Sequence, residues 1–170
     1  ERDAAALKGV ALRVHPTRAT AYSDPVLLEQ MVRNLIGNAV RYTQKGGVLV
    51  GVRQRDGQLF IEVWDTGSGI AEADRVRIFD DFVQLGNPER NQAKGLGLGL
   101  SIVQRASKLL DHPITLRSRV GRGSCFSVRV SADVLKASPP VTQTSTDSPV
   151  DYGDRPLDGR HIVLLDDDQA

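Results

Sequence analysis

Two hydrophobic periods alternate along the chain, and they predict its elements. Short alternating stretches read as strands: Val10–Val14 and Ala19–Tyr22, separated by His15-Pro16, then Val48–Arg55 and Leu59–Trp64, then Ile114–Ser118 and Ser124–Val130. Asp56-Gly57-Gln58 and Gly121-Arg122-Gly123 are the turns that close two of these pairs into hairpins. Ser23-Asp24-Pro25 is a helix start, a capping residue followed by proline at the first helical position, and the helix it opens runs to about Thr43. Leu28, Val32, Leu35 and Ala39 form its apolar stripe, with Met31 at the edge. Ala71–Val83 reads as a short helical region carrying Ile78, Phe79 and Phe82, and Leu96–Leu110 as a second long helix. Residues 1–9 read as the tail of a preceding helix, and the polar stretch 84–94 as a loop.

The pattern stops after Val130. Residues 137–156 are rich in Ser, Thr, Pro and Asp, the composition of a flexible linker, and a last apolar strand, His161–Leu165, runs into Asp166-Asp167-Asp168. The boundaries expected are 1–9 for the upstream helix end, 10–134 for one globular domain, 135–158 for the linker and 159–170 for the start of another unit. The 170 residues suffice for one good core, and 40% apolar with 25% charged is ordinary for a globular chain. A net charge of +1 without a large charged block gives no indication of nucleic acid as the main partner. One cysteine excludes an internal disulfide and a cysteine-built zinc site. No apolar run has membrane-spanning length and no signal-peptide pattern opens the chain. A start at Glu1 and an end inside an acidic cluster read as a piece of something longer.

Three stretches carry candidate chemistry. Lys94-Gly95-Leu96-Gly97-Leu98-Gly99-Leu100 alternates glycine with leucine and leads into a helix, where unpaired N–H groups and partial positive charge suit phosphate; a tight turn is the other reading. Asn34, Asn38 and Arg41 share a second face of the first long helix, bordering its apolar stripe. Asn is a poor helix former, and its amide oxygen suits Mg²⁺; amides facing solvent or capping a neighbour are the alternative. Asp65 ends a strand and opens the loop Thr66-Gly67-Ser68-Gly69. An ionised Asp accepts the exocyclic amine of adenine, and glycines let a flat ring approach the backbone, unless the Asp only caps the turn.

Taken together, these stretches resemble the nucleotide-binding boxes of sensor histidine kinases. Asn34–Tyr42 resembles the N box, Asp65–Ile70 the G1 box, Ile78–Phe82 the F box, Gly95–Leu100 the G2 box, and Gly121–Phe126 the last turn of that domain, in order from about Val10 to Val130. The resemblance implies the GHKL (Bergerat) fold, a two-layer α/β sandwich with helices on one face of a mixed sheet. It also implies ATP and Mg²⁺ as cofactors. Asn38 would hold the metal, with Asn34 beside it near the phosphates, and Arg41 would stand where the family usually has Lys. Tyr42 would line the nucleotide site. Asp65 would bind the adenine amine, with Gly67, Gly69 and Ile70 close to the nucleotide. Phe79 and Phe82 would anchor a lid over residues 84–94. Lys94, Gly95, Leu96, Gly97, Leu98, Gly99 and Leu100 would form its hinge and the phosphate cradle, and Ser124 would lie near adenine.

Gly159–Asp168 resembles the first strand and acidic cluster of a receiver domain, which implies a hybrid kinase. The family phosphorylates a His on a separate helical hairpin, and none of His15, His112 and His161 sits in such a motif; all three read as surface or edge residues. The chain is thus expected to bind ATP and to donate the γ-phosphoryl group to that dimerisation and phosphoacceptor domain, within a homodimeric parent, with a receiver domain or response regulator as the further partner. A cytoplasmic location, no nucleic acid and no membrane contact by this piece go with that expectation. A non-catalytic nucleotide-binding module and another GHKL ATPase are the alternatives; the second would carry a Glu where Asn34 stands.

Overall fold

A computed structural model describes residues 1–85, 96–131 and the backbone of 161–164. Its helices and strands are α1 (Arg2–Leu7), β1 (Ala11–Val14), β2 (Thr20–Ser23), α2 (Pro25–Tyr42), β3 (Gly47–Arg55), β4 (Gln58–Asp65), α3 (Gly99–Leu109), β5 (Ile114–Arg119), β6 (Gly123–Ser131) and β7 (His161–Leu164). Five strands form one sheet in the order β1-β3-β4-β6-β5. β1 is parallel to β3, and every other neighbour is antiparallel. β7 pairs antiparallel with β2, Thr20 opposite Leu164 and Ser23 opposite His161.

Helices α2 and α3 cover one face of the sheet, and the core lies between. Leu28, Met31 and Leu35 of α2 and Val103 of α3 meet Val48, Val63 and Val128 of the strands, all nearly inaccessible. This is the mixed-sheet, one-face α/β fold that the boxes implied. Met31, expected at the stripe edge, is fully buried because α3 packs along that side of α2.

Local chemistry sets the element ends. Asp24 Oδ1 accepts from Leu27 N at 2.9 Å, with Pro25 in the first turn of α2. At the other end Lys8 Nζ donates to the carbonyls of Val40, Arg41 and Thr43 at 2.9, 2.7 and 3.2 Å, satisfying acceptors that a helix C-terminus leaves open. Asp56 and Gly57 both have positive φ (50° and 71°), the turn that matches the twist of the β3–β4 hairpin.

Two expectations are corrected. The helical region expected over Ala71–Val83 is two short 3-10 turns, Glu72–Asp74 and Arg77–Phe79. The first is pinned to the β5 edge, Ile70 N donating to Ser118 Oγ and Arg75 to Ser118 O, each at 2.8 Å; the second sets Phe79 against Phe126 of β6, and Asp80 then turns extended. The helix expected from Leu96 begins at Gly99, because Gly97 is held at φ +73° while its carbonyl accepts from Phe82 N.

Among the described residues, no helix lies over the other face of the sheet. Glu62 lies there, its side chain 3% exposed, accepting from Trp64 Nε1 at 3.1 Å. Arg53, Arg55 and Arg117 approach its two oxygens at 3.3, 3.6 and 3.8 Å.

Candidate functional site

β4 delivers Asp65 to the helix-covered side at the end of the sheet. Its Oδ1 accepts from Gly67 N at 2.8 Å. Burial pushes its pKa above the ordinary 3.8, against the hydrogen bonds of Gly67 and Ser124, and no ion pair reaches it among the described residues. The carboxylate is held in place without being neutralised. Ser124 is buried beside it, Oγ 3.0 Å from Ser118 Oγ.

The loop glycines make room first for the protein's own backbone. A Cβ on Gly67 would stand 2.5 Å from the Tyr42 carbonyl oxygen, and one on Gly69, at φ +68°, 2.1 Å from that of Arg119. The loop is therefore threaded between the end of α2 and the β5–β6 turn, which fixes where Asp65 points.

A cavity of about 90 Å³ opens in front of that carboxylate. Of the residues expected in a nucleotide site, Asn38, Tyr42, Asp65, Gly69, Ile70, Leu100 and Ser124 line it. Its apolar wall also uses Ala39, Ile78, Val83, Leu85 and Phe126, and Ser68 joins its rim; none of these was expected as a nucleotide contact from sequence. Phe126 had a usable signal, since it lies on the inward phase of an alternating strand, whereas nothing in sequence marks Leu85.

The second end of the site is where α3 begins. A Cβ on Gly99 would lie 3.3 Å from Asn34 Oδ1 and 3.5 Å from Asn38 Nδ2, so the first turn of α3 abuts the amide face of α2. No side chain caps α3: its N-cap is Leu98, and Ser101 Oγ donates back to Leu98 O at 2.9 Å. The first N–H groups of this helix thus lie beside two amides, an arrangement suited to an anion. Arg41 is exposed on the last turn of α2 and makes no ion pair among the described residues; Tyr42 is 39% exposed at the cavity edge. Leu96 is exposed, and Lys94 and Gly95 lie outside the described residues together with 86–93.

Two further expectations change. Phe79 packs edge-on against Phe126, ring centres 6.4 Å apart, but Phe82 is 67% exposed with φ +63°. What holds at Phe82 is its backbone, hydrogen-bonded to Gly97 O across the gap that 86–95 spans. His112, read as a surface or edge residue, is buried, with Nε2 2.9 Å from Ser23 Oγ, and burial lowers its pKa from 6.5.

Among the described residues no three His, Cys, Asp or Glu side chains converge on one point. A metal at this site would be held by an amide oxygen and by oxygens of its ligand and water, which is within the habits of Mg²⁺. Asn38 fits that part, lining the cavity beside the start of α3.

The fold and site together place the chain in a known family. Residues 23–134 match the family described as histidine kinase-, DNA gyrase B- and HSP90-like ATPases, and the chain belongs to it. Among its relatives, the sensor histidine kinase RcsC of Escherichia coli K12 is 39% identical over 107 residues, covering 63% of this chain and 11% of RcsC. The aerobic respiration control sensor protein ArcB of the same strain is 33% identical over 165 residues, 94% of this chain and 20% of ArcB. The chain thus spans a small part of these relatives. Full-length ShkA, solved in complex with AMPPNP, superposes with TM-score 0.62 at 33% identity over 77% of this chain and 29% of that one. The mycobacterial sensor histidine kinase MprB shares the fold at 20% identity, with the same TM-score. Residues 23–134 are thus an ATPase domain of this family, similar in sequence to parts of the sensor histidine kinase RcsC and the sensor protein ArcB. None of its described helices is long and apolar enough to cross a membrane.

Proposed function

We propose that residues 10–134 bind Mg-ATP and pass its γ-phosphoryl group to a histidine on a separate helical domain, as the catalytic module of a hybrid sensor kinase. The observation that carries this reading is Asp65: a carboxylate fixed by Gly67 N at the mouth of an apolar cavity, short of a cation and raised in pKa. Such a group keeps acceptor capacity beyond the bonds from Gly67 and Ser124, and the exocyclic amine of adenine is a donor that would use it. The apolar wall then takes the ring, Ser124 lies at its edge, and Asn34, Asn38 and the first turn of α3 receive the phosphates.

Phosphoryl transfer depends on positioning and on neutralising charge. Asn38 would hold Mg²⁺, which supplies charge neutralisation at the phosphates. Arg41 and Lys94 would add cationic charge, with Gly95, Gly97 and Gly99 allowing the connection 84–94 to close over the site and reopen. Asn34 is an amide and makes no general base, so hydrolysis by the module alone is slow. Residues 135–158 would be a linker and 159–170 the start of a receiver domain, in keeping with the ArcB similarity extending over 165 residues. The names of the sensor-kinase relatives support a phosphoacceptor domain upstream as the partner.

The test mixes this chain with radiolabelled Mg-ATP and the upstream helical domain of its own protein, and measures acid-labile phosphohistidine. Label on the helical domain is expected. ATP binding without transfer would leave a nucleotide-binding module; equal ATP binding by the parent, Asp65→Asn and Asn38→Ala would overturn the site itself.

A further inference from the structure

The cross-strand pairs of β5 and β6 change character at one end. On the helix side, Ile114 stands opposite Val128 and Leu116 opposite Phe126, all packed in or against the core. The next pair on that side is Ser118 opposite Ser124, two hydroxyls where the alternation of each strand favours an apolar residue. This pair adjoins Asp65, and Ser124 serves that carboxylate with both its backbone N–H and its hydroxyl. Ser118 stands one layer further back: it is bonded to Ile70 and Ser124, which line the cavity in front of Asp65.

Proton accounting gives the Ser118 hydroxyl a direction. Its Oγ accepts from Ile70 N at 2.8 Å and lies 3.0 Å from both the Gly123 carbonyl oxygen and Ser124 Oγ. A hydroxyl has a single proton to give, so it serves one of these two acceptors at a time. If the proton goes to the Gly123 carbonyl, the contact between the serines needs the Ser124 proton, which then leaves Asp65. If it goes to Ser124 Oγ, the Ser124 proton is free for Asp65. The donations then run in one sense, from Ile70 N to Ser118, from Ser118 to Ser124 and from Ser124 to the carboxylate. An ionised carboxylate is a stronger acceptor than a neutral carbonyl, and bonds in a chain strengthen one another. The second arrangement therefore holds while Asp65 is charged.

Ser118 is itself held from two sides, its carbonyl by Arg75 and its hydroxyl by Ile70, each at 2.8 Å. We propose that Ser118 is a positioning residue of the nucleotide site: its hydroxyl turns the Ser124 hydroxyl onto Asp65, and thereby fixes the direction in which the carboxylate meets the exocyclic amine of adenine. The proposal rests on the reading of Asp65 as the acceptor of that amine. It adds a residue of β5 that touches no ligand and acts through Ser124.

Calorimetry on the whole chain compares the binding of Mg-AMPPNP with that of its analogue in which hydrogen replaces the exocyclic amine of the base. The parent is expected to prefer AMPPNP by about 10- to 100-fold. Ser118→Ala should lose about three- to tenfold in affinity for AMPPNP and less than about twofold for the analogue, because only the amine meets the carboxylate. Ser118→Thr keeps a hydroxyl at this strand position and should return the preference to within about twofold of the parent's. In the Asp65→Asn background, Ser118→Ala should add nothing. An equal loss for both nucleotides would mean that Ser118 only braces the loop through Ile70, and it overturns the proposal. So do an unchanged preference in Ser118→Ala and a Ser118→Thr variant that binds like Ser118→Ala. Each of these outcomes leaves the reading of Asp65 standing. A parent that binds the two nucleotides alike overturns that reading, and the proposal with it.

Discussion

β4 carries two carboxylates three positions apart, Glu62 and Asp65, and the fold treats them in opposite ways. Glu62 points to the open face and is only 3% exposed, with three arginines and the Trp64 indole on its oxygens. Asp65 points to the helix side, is less buried, and receives only neutral hydrogen bonds, so burial raises its pKa. A carboxylate whose counter-charges come from its own sheet supports the sheet. One that is fixed in direction but left without a counter-charge is set up for something that arrives from outside. Two residues of one chemical type on one strand thus separate into a structural group and a candidate binding group by their partners alone.

The largest effect expected from breaking this contrast is at Glu62. Glu62→Ala leaves three guanidinium groups crowded without their shared carboxylate. Removing one side of a fully buried pair costs about 3–5 kcal/mol, but these arginines are 47–61% exposed and can return to water, which brings the expectation to about 2–3 kcal/mol. Urea denaturation measures it, and nucleotide affinity of the folded fraction should not change. A loss below about 0.5 kcal/mol, the level of an ordinary surface substitution, would show that water serves those arginines as well as Glu62 does.

Asp65→Asn inverts the pattern. The amide oxygen can keep the hydrogen bond from Gly67 N but presents no charge to an amine. Nucleotide affinity should fall about 10- to 100-fold, the worth of a hydrogen bond to a charged group, as read by calorimetry. Stability of the nucleotide-free protein should rise. Because the folded pKa is raised, the folded state holds its proton more tightly than the unfolded state, and stability is lost as pH climbs from 3.8 through the folded value; the variant escapes that loss. A variant both unstable and binding-competent would reverse the roles assigned to the two carboxylates.

The same shift gives a smaller effect in the unmutated protein. As pH falls from neutrality through the raised pKa of Asp65, the acceptor becomes protonated and nucleotide affinity should decline, while the Asp65→Asn variant, already weak, stays flat over the window. Titration with a nucleotide analogue at fixed ionic strength compares the two slopes; parallel slopes would place the titrating group elsewhere.

Much of this was legible in sequence where the signal is local. The Asp24-Pro25 start, the Asp56-Gly57 turn and the alternation of β3, β4 and β6 depend on neighbouring residues and appear where expected. The motif residues around Asn38 and Asp65 meet at one cavity, because the strand end and the helix that carry them are adjacent in the fold. What sequence did not show depends on partners distant in the chain. Ser118 pins the first turn of the 71–83 region at Ile70 and Arg75, where the spacing alone suggests a helix, and Phe82 N holds Gly97 short of a helix. The arginine cluster on Glu62 draws on β3, β4 and β5 at once, and no stretch of the chain shows it as a charge block. Glycine was misleading in a specific way: Gly67 and Gly69 look like clearance for a ligand, and the atoms that occupy the clearance are the carbonyls of Tyr42 and Arg119.

His112 sharpens the comparison from a third position and with the smallest effect. It too is a buried ionisable group, with Asp111 as a weaker opposing charge, and its Nε2 faces a hydroxyl, that of Ser23. Burial holds it neutral by lowering its pKa below 6.5. The unfolded chain therefore takes up a proton first, so this residue's contribution is intact above 6.5 and is lost as pH falls toward the folded value. The sign is opposite to that of Asp65, for which a falling pH relieves a cost. Urea midpoints measured from pH 8 down to pH 5 should decline for the parent and decline less for His112→Gln, with the difference opening only below 6.5. Superposable profiles would mean that the Ser23 contact accommodates the imidazolium. In that case burial would not by itself penalise ionisation in this fold, and the reading of Asp65 would then rest on its cavity alone.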